Sequence, residues 1–292
     1  MKRVDFDYFE RHFPRRPADA HKGTMGTLVS LTGSFGFAGA AILSAKAALR
    51  SGVGLHYQVL PESIYPLFGA AVQESVCIPV KGKEGRLCLS DIETIRPTLD
   101  RATAILIGCG MGCTEDTAEA EKAVLTSSKC PVIIDADGIN ALAQHIHSIE
   151  GCQGEIILTP HVKEFSRLSG LSVEEILSDP AKHAEEYSLR HRDVTLVLKG
   201  HRTYIAKNGD VYENIAGNSG MAKGGSGDVL AGIIASLTAQ GILPYHAAVM
   251  GVHIHALAGD IAAAKLSQTA MLPSDIIDSL PEIYTKIEDT LQ

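Results

Sequence analysis

The stretch Asn218–Asp228, which reads NSGMAKGGSGD, combines residue types that can bind and transfer a phosphoryl group. Its four glycines within eleven residues allow backbone N–H groups to approach an anion without a Cβ atom in the way. The apolar run VLAGIIASL follows at once and predicts a helix whose positive N-terminal end points at the same place. The stretch therefore predicts an anion-binding turn at a helix N-terminus.

Asp228, at the start of this helix, has two interpretations. Aspartate commonly caps a helix, and the glycines would then form only a structural turn. A cap does not require three glycines at 224, 225 and 227, however, and a carboxylate beside an anion hole suits a base that deprotonates an attacking hydroxyl. We favour the anion hole with Asp228 as its catalytic base. The chain contains no GxxxxGK[ST] sequence, so this is not a Walker A loop.

These residues must be positioned by an α/β fold, because the chain alternates short apolar segments with helical patterns. Segments such as AILIG and VIIDA are apolar on both faces, as a doubly covered parallel sheet requires. Strands are predicted at 26–33, 54–60, 102–108, 131–136, 155–160 and 195–200, and helices at 40–52, 115–127, 138–147, 161–169, 180–191 and from 228 onward. Residues 202–214 predict an antiparallel hairpin around Asn208-Gly209. The predicted fold class is a three-layer αβα domain with a mostly parallel central sheet, forming a single domain over residues 1–292.

Small or polar residues follow most of the predicted strands, where ligands bind in such folds. These segments are TGSFGFAGA after the first strand, GCGMG at 108–112, DADGIN at 135–140, TPHVKE at 159–164 and KGHRT at 199–203. Their convergence at one edge of the sheet predicts a large, phosphate-rich ligand.

Composition excludes several classes of function. The formal net charge of −8 argues against a nucleic-acid surface, which needs a clustered basic face. No run in the sequence approaches the roughly 20 apolar residues of a membrane span, and the N-terminus lacks the apolar core of a secretory signal. The six cysteines form no repeated CxxC pair, which favours reduced thiols and a cytoplasmic location.

Five segments together resemble the nucleotide-dependent NAD(P)H-hydrate dehydratases, a branch of the ribokinase-like superfamily. They are LTGSFGFAGAAILSAKAALRSGVGL, DADGIN, LTPHVKEF, VLKGHRTYI and NSGMAKGGSGDVLAGIIASL, and the resemblance covers about residues 20 to 280. Members of this family repair the S-epimers of NADHX and NADPHX, the hydrates of NADH and NADPH. ADP in bacterial members, or ATP in eukaryotic ones, phosphorylates the C6 hydroxyl, and elimination of phosphate restores the nicotinamide.

The resemblance implies a role for each segment around the hydrate. Asp228 corresponds to the base that activates the hydrate hydroxyl, and the backbone at Gly225 and Gly227 stabilises the transferred phosphoryl charge. Three further family positions contact the hydrate, and five residues match them, with the choice open within the alanine pair and within the glycine pair. The substrate-binding set is thus Ala40, Ala41, Gly110, Gly112, His161 and Asp228.

The resemblance also implies a nucleotide site and a magnesium ion. The nucleotide-binding residues would be Lys199, Gly200, His201, Arg202, Thr203 and Gly227. Glu164 follows His161 at the spacing with which ribokinase-like enzymes organise magnesium and phosphate, although a first-turn glutamate also suits the helix dipole. Asp135 and Asp137 are a lesser possibility for the same ion, or simply loop caps.

Three departures from the family pattern stand out. The usual HPGE reads His161-Val-Lys-Glu164, the usual GPG reads Gly108-Cys109-Gly110, and Lys223 precedes the double glycine where a small polar residue is usual. Lys223 either attracts phosphate or is solvated. The N-terminal epimerase domain that often accompanies the family has no room in 292 residues, so a free-standing dehydratase is expected. The family also implies a homo-oligomer, for example a tetramer.

Two rival functions remain open on sequence grounds. GCGMG after one strand and Asp135 at the end of the next suggest an NAD-dependent oxidoreductase, but Cys113 replaces the third glycine of that fingerprint. A small-molecule kinase of the same superfamily, acting on a vitamin-type alcohol, is the second alternative, because one fold hosts many chemistries. His253 and His255 lie two residues apart on a predicted helix and do not suggest a metal pair.

Overall fold

The computed structural model describes residues 2–4 and 6–291. The strands are β1 Thr27–Leu31, β2 Leu55–Pro61, β3 Val76–Val80, β4 Ala104–Ile107, β5 Val132–Ile134, β6 Ile156–Leu158, β7 Val194–Leu198, β8 Thr203–Lys207 and β9 Asp210–Asn214. The helices are α1 Phe6–His12, α2 Ala38–Arg50, α3 Tyr65–Ala71, α4 Leu89–Leu99, α5 Glu115–Ser127, α6 Asp137–Leu142, α7 Val162–Ser169, α8 Val173–Ser178, α9 Pro180–Arg190, α10 Ser226–Ala239, α11 Pro244–Leu266 and α12 Pro273–Leu291. Short 3-10 turns occur at Glu62–Ile64, Ile146–Gly151 and Ser219–Met221.

One nine-stranded sheet has the order β3-β2-β1-β4-β5-β6-β7-β8-β9. The seven strands from β3 to β7 pair in parallel, and β8 and β9 extend the sheet antiparallel. The predicted hairpin at Asn208-Gly209 is confirmed, because both residues adopt positive φ angles of 50° and 82°, as a tight hairpin turn requires. The predicted fold class, an α/β fold with a mostly parallel central sheet, is also confirmed.

Helices cover both faces of the sheet because neighbouring strand residues alternate between two apolar layers. Leu106 and Ile133 pack with the buried residues of α10, α11 and α12 in one layer. Ile105, Ile107 and Val132 belong to the other layer, with residues of α4, α5, α7 and α9. The parallel strands are therefore buried on both sides, which explains their continuous apolar sequences.

Helix α10 is fixed by close packing against α2. A Cβ atom at Gly232 would lie only 2.2 Å from the backbone oxygen of Ser44, so the two helix backbones approach as only glycine permits. The 14-residue helix α10 is apolar on nearly its whole circumference and crosses the core of this layer. The N-terminal end of α10 is consequently held in place at the carboxyl edge of the sheet.

Several elements differ from the sequence-based expectations. Strand β3 and helix α4 were not predicted: β3 is a half-exposed edge strand containing Pro79, and α4 contains Pro97. The helix expected at 138–147 ends at Leu142, because Gln144 and His145 donate to oxygens only three residues back and the chain tightens into a 3-10 turn.

Helix α11 corrects the expectation that no segment has the length of a membrane span. Its 23 residues include an apolar window with a mean hydropathy of 1.4, long and apolar enough by composition alone. Within the described residues, 67% of that window is buried inside the protein, as in the core helix of a folded domain. The helix packs against α10 and α12.

Candidate active site

The turn before α10 presents its glycines as the sequence suggested, and Asp228 does not cap the helix. The N-cap residue is Gly225, which has a φ of 102° and makes no side-chain capping bond. A Cβ at Gly225 would lie 2.6 Å from Cδ1 of Leu43, so glycine is required for space as well as for conformation. Asp228 lies within the first helical turn, next to the free N–H groups of the helix end.

Lys223 neither faces the anion-binding turn nor is simply solvated. Its Nζ atom donates hydrogen bonds to the backbone oxygens of Thr269 and Met271. It therefore links the glycine-rich turn to the segment before α12. This role was absent from both sequence-based alternatives, because it depends on a contact 46 to 48 residues away.

The Asp228 carboxyl group is poised to exchange a proton near neutral pH. Burial, followed by the negative charge of Asp135, raises its pKa from the usual 3.8 to about 7. A hydrogen bond with the Cys109 thiol and the positive charge of Lys199 act in the opposite direction. A carboxylate with a pKa close to the working pH is an effective general base.

Asp135, at the end of β5, organises the centre of the site. Its Oδ1 atom accepts hydrogen bonds from Lys199 Nζ at 2.7 Å and from Thr159 Oγ1 at 2.6 Å. Asp135 is 1% exposed and the Lys199 side chain is 20% exposed, so this ion pair is largely shielded from water. Burial alone lowers the pKa of Lys199, but the charges of Asp135 and Glu164 outweigh it, and the net pKa lies above the usual value. Lys199 is therefore held as a fixed cation.

The Lys199 ammonium group lies directly beside the N-terminus of α10. A Cβ atom at Gly227 would be 3.3 Å from Lys199 Nζ and 3.7 Å from Asp135 Oδ2. The absence of a side chain at Gly227 thus lets the ammonium group and the helix N–H groups face one small volume. A helix N-terminus and a fixed cation together form a binding site for a phosphoryl group.

Cys109 replaces the usual proline of the strand-end loop and is fully buried. Its Sγ atom lies 3.7 Å from Asp135 Oδ2, and burial together with the charges of Asp228 and Asp135 raises the thiol pKa well above its usual value. In the described part of the chain, Cys109, Asp135 and Asp228 are the one group of three potential metal ligands, with ligand atoms within 4.8 Å of one another. Because the thiol is protonated and Lys199 already neutralises Asp135, this trio does not suit Mg²⁺, which prefers oxygen ligands.

A cavity of about 460 Å³ opens beside Lys199. It is lined by Lys199, Gly200, His201, Thr203, Asn214, Ala216, Gly217, Asn218, Ser219, Met221, Ala222, Ser226, Gly227, Leu230, Val252, His255 and Ala256. Five of the six residues expected to bind the nucleotide are on this list. The sixth, Arg202, instead forms a 2.7 Å ion pair with Glu213 and points away from the cavity lining.

His255 contributes a buried polar group to the wall of this cavity. Its Nε2 atom and Ser226 Oγ have no hydrogen-bond partner among the described residues. Burial, and to a smaller extent the charge of Lys199, lowers the pKa of His255 to about 4, so the ring is neutral at physiological pH. His253, by contrast, lies outside the cavity with its Nδ1 atom 3.0 Å from Asn214 Oδ1.

The two alanines and the two glycines left open by the sequence have different surroundings in the structure. Ala41 is fully buried in the apolar cluster under the loop, whereas Ala40 is partly exposed. A Cβ at Gly110 would lie 2.7 Å from the Cβ of Ala40, while one at Gly112 would meet the Arg86 side chain instead. Ala40 and Gly110 thus lie directly against each other.

His161 and Glu164 form a reciprocal cap at the start of α7. Glu164 Oε2 accepts a hydrogen bond from the His161 N–H at 2.8 Å, and His161 Nδ1 accepts one from the Glu164 N–H at 3.1 Å. Burial raises the pKa of Glu164, and burial followed by the charge of Lys199 lowers that of His161. The different local sequence, HVKE, thus forms a regular cap, and the Glu164 carboxyl group lies close enough to Lys199 and Asp135 for both charges to affect its pKa.

The sequence profile described as NAD(P)H-hydrate dehydratase matches residues 28–282. The chain belongs to the NAD(P)H-hydrate dehydratase family. It is 35% identical over 279 residues to the ADP-dependent (S)-NAD(P)H-hydrate dehydratase of Bacillus subtilis, covering 94% of this chain and 95% of that protein. It is 37% identical over 281 residues to a bifunctional NAD(P)H-hydrate repair enzyme of Moorella thermoacetica.

That second alignment covers 96% of this chain and 53% of the relative, so the chain spans about half the length of the bifunctional relatives it matches. Among solved structures, the ADP/ATP-dependent NAD(P)H-hydrate dehydratase of Bacillus subtilis, co-crystallized with ATP/Mg²⁺, has a TM-score of 0.82 and 31% identity. The superposition covers 97% of this chain and 98% of the other. The family and the ribokinase-like fold anticipated from the sequence are thus confirmed.

Other residues that surround the dehydratase-family site were missed or set aside at the sequence level. Thr159 and Asp135 each follow a strand and carried that signal. The contact of Asp135 with Lys199 joins residues 64 positions apart, and Thr159 contacts Asp135 rather than Lys199. Asn218 anchors the glycine-rich stretch, since its Nδ2 atom donates to Asp260 Oδ1 at 2.9 Å. His255 had no detectable signal beyond its place in an apolar helix.

Proposed function

We propose that this chain dehydrates the S-epimers of NADHX and NADPHX to NADH and NADPH, using a nucleoside di- or triphosphate as phosphate donor. The observation that carries the proposal is Asp228, whose pKa is about 7, positioned beside Lys199 and the N-terminus of α10. The family membership supports the substrate class. ADP is the expected donor if the source is bacterial, and ATP is the alternative.

In the proposed reaction Asp228 removes the proton from the C6 hydroxyl of the hydrate. The hydroxyl oxygen bonds to the terminal phosphorus as the bond to the nucleotide's bridging oxygen breaks, which releases AMP from ADP or ADP from ATP. The backbone at Gly225 and Gly227, with Lys199, stabilises the negative charge on the transferred group. The C6–O bond then breaks with loss of phosphate, assisted by the ring nitrogen, and a proton leaves C5.

The cavity along Lys199, Gly200, His201 and Thr203 is proposed to hold the nucleotide, and Ala40 and Gly110 to contact the hydrate. His161 lies next to Lys199 through a strand-like bridge and stays a proposed hydrate contact. Ala41, Gly112 and Arg202 were also predicted to bind, and these contacts stay predictions. Ala41 is buried in an apolar cluster, Gly112 lies against the Arg86 side chain, and Arg202 pairs with Glu213.

Magnesium is proposed to enter with the nucleotide phosphates, where it supplies positive charge that offsets the charge of the phosphoryl oxygens. Glu164 fits an ion held through water, because its carboxylate already accepts the His161 N–H and direct ligation would disturb that cap. A cytoplasmic homo-oligomer is proposed from the family resemblance, and sedimentation velocity would measure the assembly.

The decisive experiment mixes the protein with NADHX or NADPHX, Mg²⁺ and either ADP or ATP and follows absorbance at 340 nm. A nucleotide-dependent rise with release of phosphate supports the dehydratase and identifies the donor. A stable phosphorylated product without the rise would favour a kinase of the same superfamily. A flat trace with both nucleotides and both hydrates would refute the proposed function.

A further inference from the structure

Three loops meet on the side of Asp228 away from the nucleotide cavity. They follow β1, β3 and β4, the strands on the opposite side of β5 from β7. The Phe35 N–H donates to the Gly85 oxygen at 2.8 Å, and Ser34 Oγ donates to the Gly110 oxygen at 2.8 Å. A ligand that extends from Ala40 and Gly110 toward the edge of the sheet must therefore pass these loops.

Arg86 lies at the exit of the site, which is the point where such a ligand would pass these loops. A Cβ at Gly112 would lie 2.7 Å from Arg86 Nε, so the guanidinium stem lies directly against the Gly112 backbone. The side chain is partly exposed, and its Nη1 atom donates to the Glu84 oxygen at 3.3 Å. Within residues 2–4 and 6–291, no carboxylate forms an ion pair with Arg86, whereas its neighbour Lys83 pairs with Asp116 at 2.8 Å.

The backbone that carries Arg86 is held in a tight turn. Lys83 and Arg86 exchange backbone hydrogen bonds of 2.8 and 3.0 Å across a turn in which Glu84 and Gly85 both have positive φ. The neighbouring Gly112 N–H already donates to Asp137 Oδ2 at 2.8 Å and is not free to bind an anion. A phosphate arriving here would find its donors on Arg86.

Two exposed aromatic rings flank the same exit. Phe35 is 69% exposed and Phe37 is 55% exposed, although both belong to the loop that packs on Gly85 and Gly110. Large apolar side chains that are this exposed beside a binding site provide faces on which a heteroaromatic ring can stack. Phe37 lies at the Gly110 end, and Phe35 lies at the Gly85 end, next to Arg86.

We infer that Arg86 and Phe35 bind the diphosphate and adenosine half of the dinucleotide hydrate. This rests on the proposed function, because it assumes that the nicotinamide end lies beside Asp228. The planar guanidinium matches two phosphate oxygens, and Phe35 offers a face for the adenine. Such a site would hold the dinucleotide through contacts that lie far from its reacting carbon.

The test compares wild type with Arg86→Gln, Arg86→Lys and Phe35→Ser. For Arg86→Gln the KM for NADHX should rise by about 10- to 100-fold, with kcat and the KM for the nucleotide unchanged. Arg86→Lys should recover only part of the loss, because an ammonium group cannot donate two parallel hydrogen bonds. Phe35→Ser should raise the KM for NADHX but not that for the hydrate of reduced nicotinamide mononucleotide, which lacks adenosine.

Lys83→Gln is the matched control, since it removes a neighbouring charge that is already paired, and its KM should stay within about twofold of wild type. Binding of NADH, followed by its own fluorescence, measures the same site without turnover. If wild type binds NADH but turns over no hydrate, the proposed function fails while weaker binding by Arg86→Gln still supports this site. Unchanged NADH affinity in Arg86→Gln, or no NADH binding by wild type, would overturn the inference.

Discussion

Replacing Asp228 by asparagine removes the proposed base while keeping the size and shape of the side chain. Loss of a general base typically lowers turnover by about 10²- to 10⁴-fold. Affinity for the nucleotide should stay within about threefold of wild type, because Lys199 and the cavity beyond it are unchanged and Asp228 is not counted among the cavity-lining residues. The expected result is thus a loss in kcat without a loss of nucleotide binding.

The wild-type pH profile provides an independent check of the same residue. With a pKa of about 7, Asp228 is ionised and competent only above that value. The kcat/KM for the hydrate should therefore fall about tenfold per pH unit below pH 7 and level off above it. The residual activity of Asp228→Asn should lack this inflection.

Stability distinguishes a catalytic effect from misfolding. The pKa of Asp228 is raised in the folded protein, so its contribution is fully present below pH 3.8 and is lost as the pH rises from 3.8 to about 7. The shift corresponds to about 4 kcal/mol as an upper bound, which the partial exposure of the carboxyl group reduces. At pH 8 the asparagine variant should be at least as stable as wild type.

The assay follows NADH formation at 340 nm, nucleotide binding by calorimetry and thermal unfolding at pH 5 and pH 8. Asp210→Asn serves as the control, because Asp210 lies on β9, outside the proposed site, and pairs there with Lys2. A folded Asp228→Asn protein with turnover within threefold of wild type would refute the assignment of Asp228 as the base.

Three further changes test other parts of the structure. Lys199→Met should weaken nucleotide binding about 10- to 100-fold by calorimetry, and it should cost about 3–5 kcal/mol of unfolding free energy because Asp135 is left buried and unpaired. Adding Asp135→Asn to this variant should restore stability but not nucleotide binding. An equal loss of unfolding free energy in the single and the double variant would contradict this explanation. Glu121 is fully buried without a hydrogen-bond partner among described residues, and burial raises its pKa well above the usual value. Its stability contribution is lost as pH rises, so Glu121→Gln should raise the thermal midpoint more at pH 8 than at pH 5, and an equal change at both would count against the buried carboxyl. Gly225→Ala should lower the free energy of unfolding by about 1–3 kcal/mol in denaturant titrations, because residue 225 has a φ of 102° and the new Cβ would meet the Leu43 side chain. An unchanged free energy of unfolding would show that the turn can relax.

Much of the fold could be predicted because its signals are local. Apolar runs on both faces indicated parallel strands, and Asn208-Gly209 indicated the hairpin, since each depends on the backbone preferences of a few consecutive residues. The glycine-rich turn was located for the same reason. Strand β3 was missed because a half-exposed edge strand with a proline has no such pattern.

The arrangement of the site depended on contacts between distant parts of the chain. Sequence patterns could not tell the burial of Ala40 from that of Ala41, because only the packing of α2 buries one and leaves the other partly exposed. They could not show that Lys199 pairs with Asp135 and Arg202 with Glu213. Both cations follow the same strand, so their positions in the sequence do not indicate which carboxylate each one contacts. The sequence thus determined the residue types and the local turns. The choice of partners, the burial and the raised pKa of Asp228 were decided by the tertiary fold, because charges interact through space and are desolvated only by packing.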